Sequence, residues 1–171
     1  MKDECVQPSV KHGGGSCMVW GCFAGASSGH LVEVKGTMKK EQYHSILQRH
    51  AIPSGIRMVG RNFILQQDND PKHTSKLCRD YLKRKESTGV LKKMCWPPQS
   101  PDLSPIELAW DELNRRVKRK QPSNVTDLFR CLTDAWNELS EDYFQKLVER
   151  MPRVCAAVVK AKGGYFDETT I

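Results

Sequence analysis

The chain has 171 residues, of which 39% are hydrophobic and 27% charged, a composition typical of one globular domain and unlike that of a disordered chain. Its 27 Lys and Arg residues outnumber 20 Asp and Glu residues, which gives a formal net charge of +7 at pH 7. This excess favours a polyanionic partner, most simply nucleic acid, although a soluble protein with a basic surface would show the same balance. The sequence has no signal-peptide pattern and no apolar run long enough to cross a bilayer, so we expect no membrane partner.

The cysteines are odd in number and scattered, and no two of them form a Cys-x-x-Cys pair. This pattern argues against a disulfide framework and against a zinc site. It predicts reduced thiols, most of them in the core, in a reducing compartment. The seven are Cys5, Cys17, Cys22, Cys78, Cys95, Cys131 and Cys155.

Hydrophobic periodicity predicts four strands and five helices. The strands span residues 17–24, 31–34, 63–68 and 90–96, and the helices span residues 39–51, 74–85, 104–120, 125–139 and 140–159, the last restarting at Pro152. We expect a glycine-rich turn at residues 11–16, a helix break at Pro53 to Gly55 and the end of the fold at Gly163 and Gly164. The order predicts a mixed α/β sheet flanked by helices, with functional side chains at the ends of strands and helices.

Two carboxylates stand out because each follows a strong structural signal. The apolar run that begins at Phe63 delivers Asp68 to a surface, where a turn follows. A proline-rich loop then leads into a helix with Ser104 as N-cap, Pro105 at the first position and Glu107 at the third. Carboxylates at one end of a sheet in a basic protein suggest Mg²⁺, which prefers oxygen ligands and completes its shell with water and phosphate. A two-metal site that cleaves a phosphodiester usually needs at least three protein carboxylates.

Each of these residues also has a simpler explanation. Glu107 could close a capping box with Ser104, and Asp68, Asp70 and Asp102 could be turn residues that bond their own backbone. Lys72 and His73 could be solvated residues near a helix start, and the basic stretch at 114–120 could be a solvated helix face or a nuclear import signal. Taken one at a time, these residues do not identify an enzyme.

Three segments together are far more specific than their parts. Residues 11–23 (KHGGGSCMVWGCF), 66–75 (QQDNDPKHTS) and 96–107 (WPPQSPDLSPIE) closely resemble the catalytic domain of Tc/mariner superfamily transposases, and the likeness runs in order through nearly the whole chain. The resemblance implies a ribonuclease H-like fold and an Asp, Asp, Glu/Asp triad. It also implies that Mg²⁺ or Mn²⁺ in a two-metal site helps to cut DNA at transposon ends and join it to a target. Asp68 falls on the second Asp of the triad and Glu107 on the third acid.

This chain departs from the family pattern in two ways. The first triad Asp belongs on a strand upstream of Lys11, in the middle of the sheet. We therefore expect the chain to be a partial catalytic domain that lacks this strand, this Asp and the family's helix-turn-helix DNA-binding region. The strands at 17–24 and 63–68 should then lie apart or pair directly with each other. The 38 residues between Asp68 and Glu107 exceed the usual spacing, and we place the extra length in the polar turn at 83–89.

Two functional hypotheses follow from the resemblance. The chain is either a fragment of an enzyme for DNA transposition and DNA integration, or a non-catalytic remnant that binds nucleic acid or a partner; the expected lack of the first Asp favours the second for this chain by itself. The family also implies a nuclear location and a full-length transposase as a possible homo-oligomeric partner. For DNA contact we predict a set of basic side chains: Lys72, His73, Lys92, Lys93, Arg115, Arg116, Lys118, Arg119 and Lys120.

Overall fold

The computed structural model describes residues 15–98 and 100–162, so most of the predicted glycine-rich turn and the predicted end at Gly163 lie outside the described residues. The strands are β1 Met18–Trp20, β2 Phe23–Ala24, β3 Ser27–Ser28, β4 Val32–Val34, β5 Phe63–Leu65 and β6 Leu91–Lys93. The α-helices are α1 Lys40–Ile46, α2 Ile52–Val59, α3 Lys76–Ser87, α4 Pro105–Lys120, α5 Val125–Asn137, α6 Glu141–Glu149 and α7 Met151–Lys160, and there is a short 3-10 helix at Pro101–Leu103.

The strands pair only two by two within the described residues. β1 and β4 are antiparallel, with Met18 opposite Val34, and β5 and β6 are parallel, with Phe63 opposite Leu91. β2 and β3 form a separate short hairpin. No pairing joins β1 to β5 in this part of the chain. Of the two predicted arrangements, strands that lie apart or strands that pair with each other, the structure therefore has the first.

Two layers of helices cover opposite faces of the strands. Val19 packs into a core with helices α4, α5 and α6, centred on the fully buried Trp136. Its neighbours Met18 and Trp20 pack against the other core, formed by helices α1, α2 and α3 with β5 and β6. Successive side chains of a strand point to opposite faces, so one short strand contributes to both cores. The result is the predicted mixed α/β architecture flanked by helices, with its strands in three separate two-stranded sheets within the described residues.

The strand predicted at residues 17–24 is in fact two strands with a break at Gly21 and Cys22. Two tryptophan rings approach the backbone at this break. A Cβ atom at Gly21 would lie 3.0 Å from Trp110 and 3.2 Å from Trp136. The helix layer therefore presses on the backbone where the strand is interrupted, and this contact between distant residues has no local sequence signal.

The predicted helix break at Pro53 to Gly55 is wrong. The chain passes from α1 through a π-helix at Leu47–Ala51 directly into α2, with Pro53 in the first turn of α2. Proline lacks the amide hydrogen of a regular helix and clashes with the carbonyl four residues before it, and the wider π turn accommodates both defects. The glycine at position 55 is explained by packing instead of by a helix break, because a Cβ atom at this position would lie 2.4 Å from the ring of Phe63.

The predicted cap at Ser140 and the predicted restart at Pro152 are confirmed. Ser140 is the N-cap of α6 and accepts a hydrogen bond from the amide of Tyr143, and α7 restarts with Pro152 in its first turn. The six cysteines among the described residues are all free thiols. None of the helices described here is long and apolar enough to span a bilayer.

An apolar cleft of about 480 Å³ lies where β1 and β5 fail to pair. Residues of β1, β2 and β5 line it together with α2 and the start of α4. Four large apolar side chains on its lining remain exposed, and Ile64 on β5 is 62% exposed; the others are Val59, Met94 and Val148. The core is thus open to solvent along the edges of two strands.

Candidate functional site

Asp68 and Glu107 line the same cleft, although 38 residues separate them in the sequence. Asp68 follows β5 by three residues, and Glu107 is the third residue of α4. Asn69 connects their two loops, since its side-chain amide donates a hydrogen bond of 2.8 Å to the carbonyl of Trp96 at the start of the proline-rich loop. The structure therefore brings together the two carboxylates singled out from the sequence.

The Glu107 carboxyl has no positively charged partner among the described residues. Burial raises the pKa of its carboxyl to about 7, and the neighbouring Asp111 and then Asp68 add to this shift by repulsion. Its side chain makes no hydrogen bond or ion pair within residues 15–98 and 100–162. Ser104 is the N-cap of α4, as predicted, but its side chain makes no capping bond. The capping-box explanation of Glu107 is therefore wrong.

Asp68 is held in a tight turn. Its Oδ1 accepts a hydrogen bond of 3.0 Å from the amide of Asp70, and the same oxygen contacts Nδ1 of His73. Asp70 repeats the pattern by accepting a 2.8 Å bond from the amide of Lys72. The interpretation of Asp68 and Asp70 as turn residues is thus correct, and the turn fixes the orientation of the Asp68 carboxylate instead of competing with a role in the site.

Two predicted DNA contacts lie beside this turn, and both have partners within the protein. The side chain of His73 is only 12% exposed, and its ring lies against that of Tyr43 in a tilted arrangement, at a centroid distance of 3.9 Å and an interplanar angle of 33°. The ammonium of Lys72 lies 2.5 Å from a carboxylate oxygen of Asp70. Contact of either residue with DNA stays a prediction, and the buried position of His73 favours a different role.

The basic residues of α4 divide into paired and unpaired side chains. Glu112 forms ion pairs with Arg115 and Arg116 at 2.6–2.7 Å, and these lower the pKa of the glutamate to about 2. Glu138 lies 3.6 Å from Arg116 and 3.6 Å from Lys120. Lys118 and Arg119 are exposed and form no ion pair with any described residue. They lie about 17 Å along the helix from Glu107, at 1.5 Å per residue. Lys92 and Lys93 are exposed on β6.

Three residues that organise the site have no functional signal in the sequence: Asn69, Tyr43 and Gln67. From the sequence, Asn69 is only part of a turn, and Tyr43 is only part of an apolar helix stripe. The hydroxyl of Tyr43 donates a 2.9 Å hydrogen bond to the side chain of Gln67, which in turn donates to the carbonyl of His73 at 3.5 Å. These partners lie on different elements, so no local pattern could have indicated them.

The donor atoms suit a hard divalent cation, but their number is small. Carboxylate oxygens are the ligands that Mg²⁺ and Mn²⁺ prefer. An uncompensated Glu107 next to Asp68 would gain from such a cation because the two like charges repel each other. No group of three or more His, Cys, Asp or Glu side chains that could hold a metal ion occurs in the described part of the chain. The residues therefore fit two ligands of a metal site.

Comparison with known proteins agrees with this chemistry. A family model described as DDE superfamily endonuclease matches residues 2–129. The Tc1 transposase of Caenorhabditis elegans is 44% identical over 162 residues, which cover 95% of this chain and 57% of the relative. The chain thus spans a little over half the length of the relative that it matches.

Solved structures match the fold at low sequence identity. The catalytic domain of Mos1 mariner transposase superposes with a TM-score of 0.77 at 16% identity, over 95% of this chain and 79% of that domain. A Mos1 paired-end complex with the left transposon end gives a TM-score of 0.77 at 16% identity, over 98% of this chain and 49% of that one. The same Mos1 catalytic domain with Raltegravir and Mn matches 89% of this chain and 78% of that one, with a TM-score of 0.69 at 16% identity.

The fold is ribonuclease H-like and the matching family model is that of DDE superfamily endonucleases, so the fold class and the DDE family predicted from the sequence are confirmed. The chain belongs to the family of DDE superfamily endonucleases, and the Tc1 transposase is among the proteins to which it is similar.

Proposed function

We propose that the chain is part of a transposase catalytic domain in which Asp68 and Glu107 are the second and third acidic residues. The observation that carries the proposal is the unbalanced Glu107 carboxyl, with a pKa of about 7, in one cleft with Asp68. Carboxyls in a cleft with pKa values shifted by burial and by a neighbouring like charge are typical of functional sites, and a bound cation would relieve the repulsion between them. Among the similar solved structures, one contains Mn and another contains a transposon end, and these support a divalent cation and DNA as the ligands.

Each residue of the site would have a defined task. Asp68 and Glu107 would hold Mg²⁺ or Mn²⁺ in the two-metal arrangement of the family, and the bound metal would supply Lewis-acid stabilisation of the attacking and leaving oxygens of a phosphodiester. Asn69 keeps the two carboxylates in one place by tying the turn after β5 to the proline-rich loop. The half-buried setting of Glu107 reduces competition from water for the cation.

We further propose that this chain does not cleave or join DNA by itself. Two carboxylates and no larger ligand group are found among the described residues, whereas a two-metal site usually needs at least three. Incubation of the purified chain with labelled transposon-end DNA and Mg²⁺ or Mn²⁺ should give no nicks. Metal-dependent nicking that is absent from Asp68→Ala would overturn this proposal.

DNA binding, a nuclear location and assembly with a full-length transposase are also proposals. The net charge of +7 and the unpaired Lys118 and Arg119 support weak, sequence-independent contact with phosphates. The basic run of α4 supports nuclear import. A binding constant that stays constant between low and high salt, or a strong preference for one DNA sequence, would contradict the proposed mode of binding.

The second candidate function is a non-catalytic remnant that binds nucleic acid or a protein partner. The open apolar cleft with its exposed Ile64 favours this function, because exposed apolar surface of this kind marks binding sites. Metal titration separates the two candidates. A chain that binds DNA but shows no binding of Mn²⁺ that depends on Asp68 would be a remnant, whereas binding lost in Asp68→Asn supports the metal site.

A further inference from the structure

His73 occupies a position that a solvated side chain does not explain. It lies in the turn after Asp68, where the amide of His73 and the hydroxyl of Thr74 both bond the carbonyl of Asp70, at 2.9 and 3.1 Å. This turn folds the chain back and places the imidazole against the Asp68 carboxylate. The ring is largely withdrawn from solvent, so its contacts within the protein determine what it can do.

Both the ring and the backbone of His73 are held in place. The ring lies against that of Tyr43 in a tilted contact, and Tyr43 is itself 3% exposed and anchored in α1. The hydroxyl of Tyr43 holds Gln67, and Gln67 holds the backbone of His73, so ring and backbone are tied to the same helix. A side chain held in this way can define the orientation of whatever it contacts.

The contact with Asp68 determines the tautomer of the imidazole. A carboxylate only accepts hydrogen bonds, so the Nδ1 atom of His73 must carry the hydrogen. In the neutral ring, Nε2 is then a bare acceptor, and it is buried without a hydrogen-bond partner in the described structure. A buried nitrogen without a hydrogen-bond partner costs free energy, and for His73 the hydrogen bond from Nδ1 to Asp68 offsets the cost of burying Nε2.

We propose that His73 is a positioning residue that orients Asp68 for a divalent cation through its Nδ1 hydrogen, and that Tyr43 holds His73 in place through contact between their rings and through Gln67. The inference rests on the proposed function, because it takes Asp68 to be a metal ligand. Ligands that must bind a metal in one geometry are held by such outer hydrogen bonds, and loss of one typically weakens metal binding by about 10–100-fold. Oδ1 of Asp68 receives two of these contacts, from Asp70 and from His73.

Binding of Mn²⁺ to the purified chain, followed by the electron paramagnetic resonance signal of free Mn²⁺, tests the proposal without any need for activity. His73→Leu removes the donor and should raise the dissociation constant by about 10–100-fold. His73→Asn keeps an amide donor near the place of Nδ1 and should restore most of the affinity. His44→Leu is a matched control, since His44 packs edge-on against Tyr81 and does not line the cleft, and it should bind like the wild type.

The outcomes separate a failed inference from a failed function. If Asp68→Asn leaves Mn²⁺ binding unchanged, or the wild type binds no Mn²⁺, the metal site itself is refuted and the positioning role falls with it. If Asp68→Asn abolishes binding but His73→Leu binds like the wild type, only the role of His73 is refuted. It is also refuted if His73→Asn, with a melting temperature equal to that of His73→Leu, is no better at binding. A long-range ¹H–¹⁵N spectrum should show the Nδ1–H tautomer, and the Nε2–H tautomer would contradict the proposal.

Discussion

Replacing Glu107 with Gln removes a carboxyl whose ionisation the fold opposes, so we expect the substitution to stabilise the chain above neutral pH. The pKa of Glu107 is raised to about 7 from an ordinary value of 4.5, first by burial and then by repulsion from Asp111 and Asp68. Glutamine has nearly the same shape and cannot ionise, so the variant keeps the packing of α4 and loses the repulsion.

The sign of the pH dependence follows from proton linkage. Between pH 4.5 and 7 the folded chain keeps a proton on Glu107 that the unfolded chain releases, so the free energy of unfolding falls as the pH rises and levels off above pH 7. At about 1.4 kcal/mol per pKa unit, the full difference would be roughly 3 kcal/mol. Because Glu107 is only half-buried and solvent screens its charge, we expect Glu107→Gln to be more stable than the wild type by about 1–3 kcal/mol at pH 8 and equal to it near pH 4.

Urea unfolding between pH 4 and 8, followed by fluorescence of the buried Trp110 and Trp136, measures this difference. Glu112→Gln is the control of opposite sign on the same helix, because hydrogen bonds from Arg115 and Arg116 lower the pKa of Glu112 to about 2. That variant should be less stable than the wild type at neutral pH. A Glu107→Gln variant that gains nothing at pH 8, or whose advantage does not change with pH, would refute the reasoning.

Three further predictions concern packing, DNA and the cleft. Gly55→Ala should destabilise the chain by about 1–3 kcal/mol in urea, because the new Cβ would meet the Phe63 ring at 2.4 Å; an unchanged midpoint would contradict this packing. Replacing both Lys118 and Arg119 with Gln should weaken DNA binding and reduce the slope of log affinity against log salt by roughly 2, whereas Arg115→Gln should have less effect because Arg115 already pairs with Glu112. The isolated chain should be marginally stable or aggregate, since β1 and β5 have no strand partner on the cleft side among the described residues and Ile64 is exposed; a monomer that melts cooperatively at the same temperature with and without an added upstream segment would contradict it.

The parts of the fold that could be predicted from the sequence are those with local signals. The start of α4 at Ser104 and Pro105 and the cap of α6 at Ser140 depend on residues within one turn, and the structure has both where the sequence indicated them. The order of strands and helices likewise follows from periodicity along the chain. Asp68 and Glu107 were found because each closes such a local pattern, at the end of an apolar run or at the start of a helix.

The features that could not be predicted depend on contacts between distant residues. Pro53 usually ends a helix, and only the π turn before it explains why this helix continues. Gly21 interrupts a strand because two tryptophan rings from other helices reach it. The positions of Tyr43 and Asn69 in the site depend on partners 24 and 27 residues away. Contacts between residues this far apart produce no periodic pattern in a single sequence.

The open cleft and the unbalanced carboxylates are one feature of the molecule, because Asp68 and Glu107 line the cleft that separates β1 from β5. A strand that filled the cleft would remove water from both carboxylates and strengthen their repulsion, and a cation would relieve it. We therefore expect Mn²⁺ to bind more tightly to a chain extended by an upstream strand, and that strand to bind more tightly in the presence of Mn²⁺ by the same factor. Titration of Mn²⁺ into the chain with and without the added segment measures this coupling. Equal affinities would mean that the cleft and the carboxylates are independent.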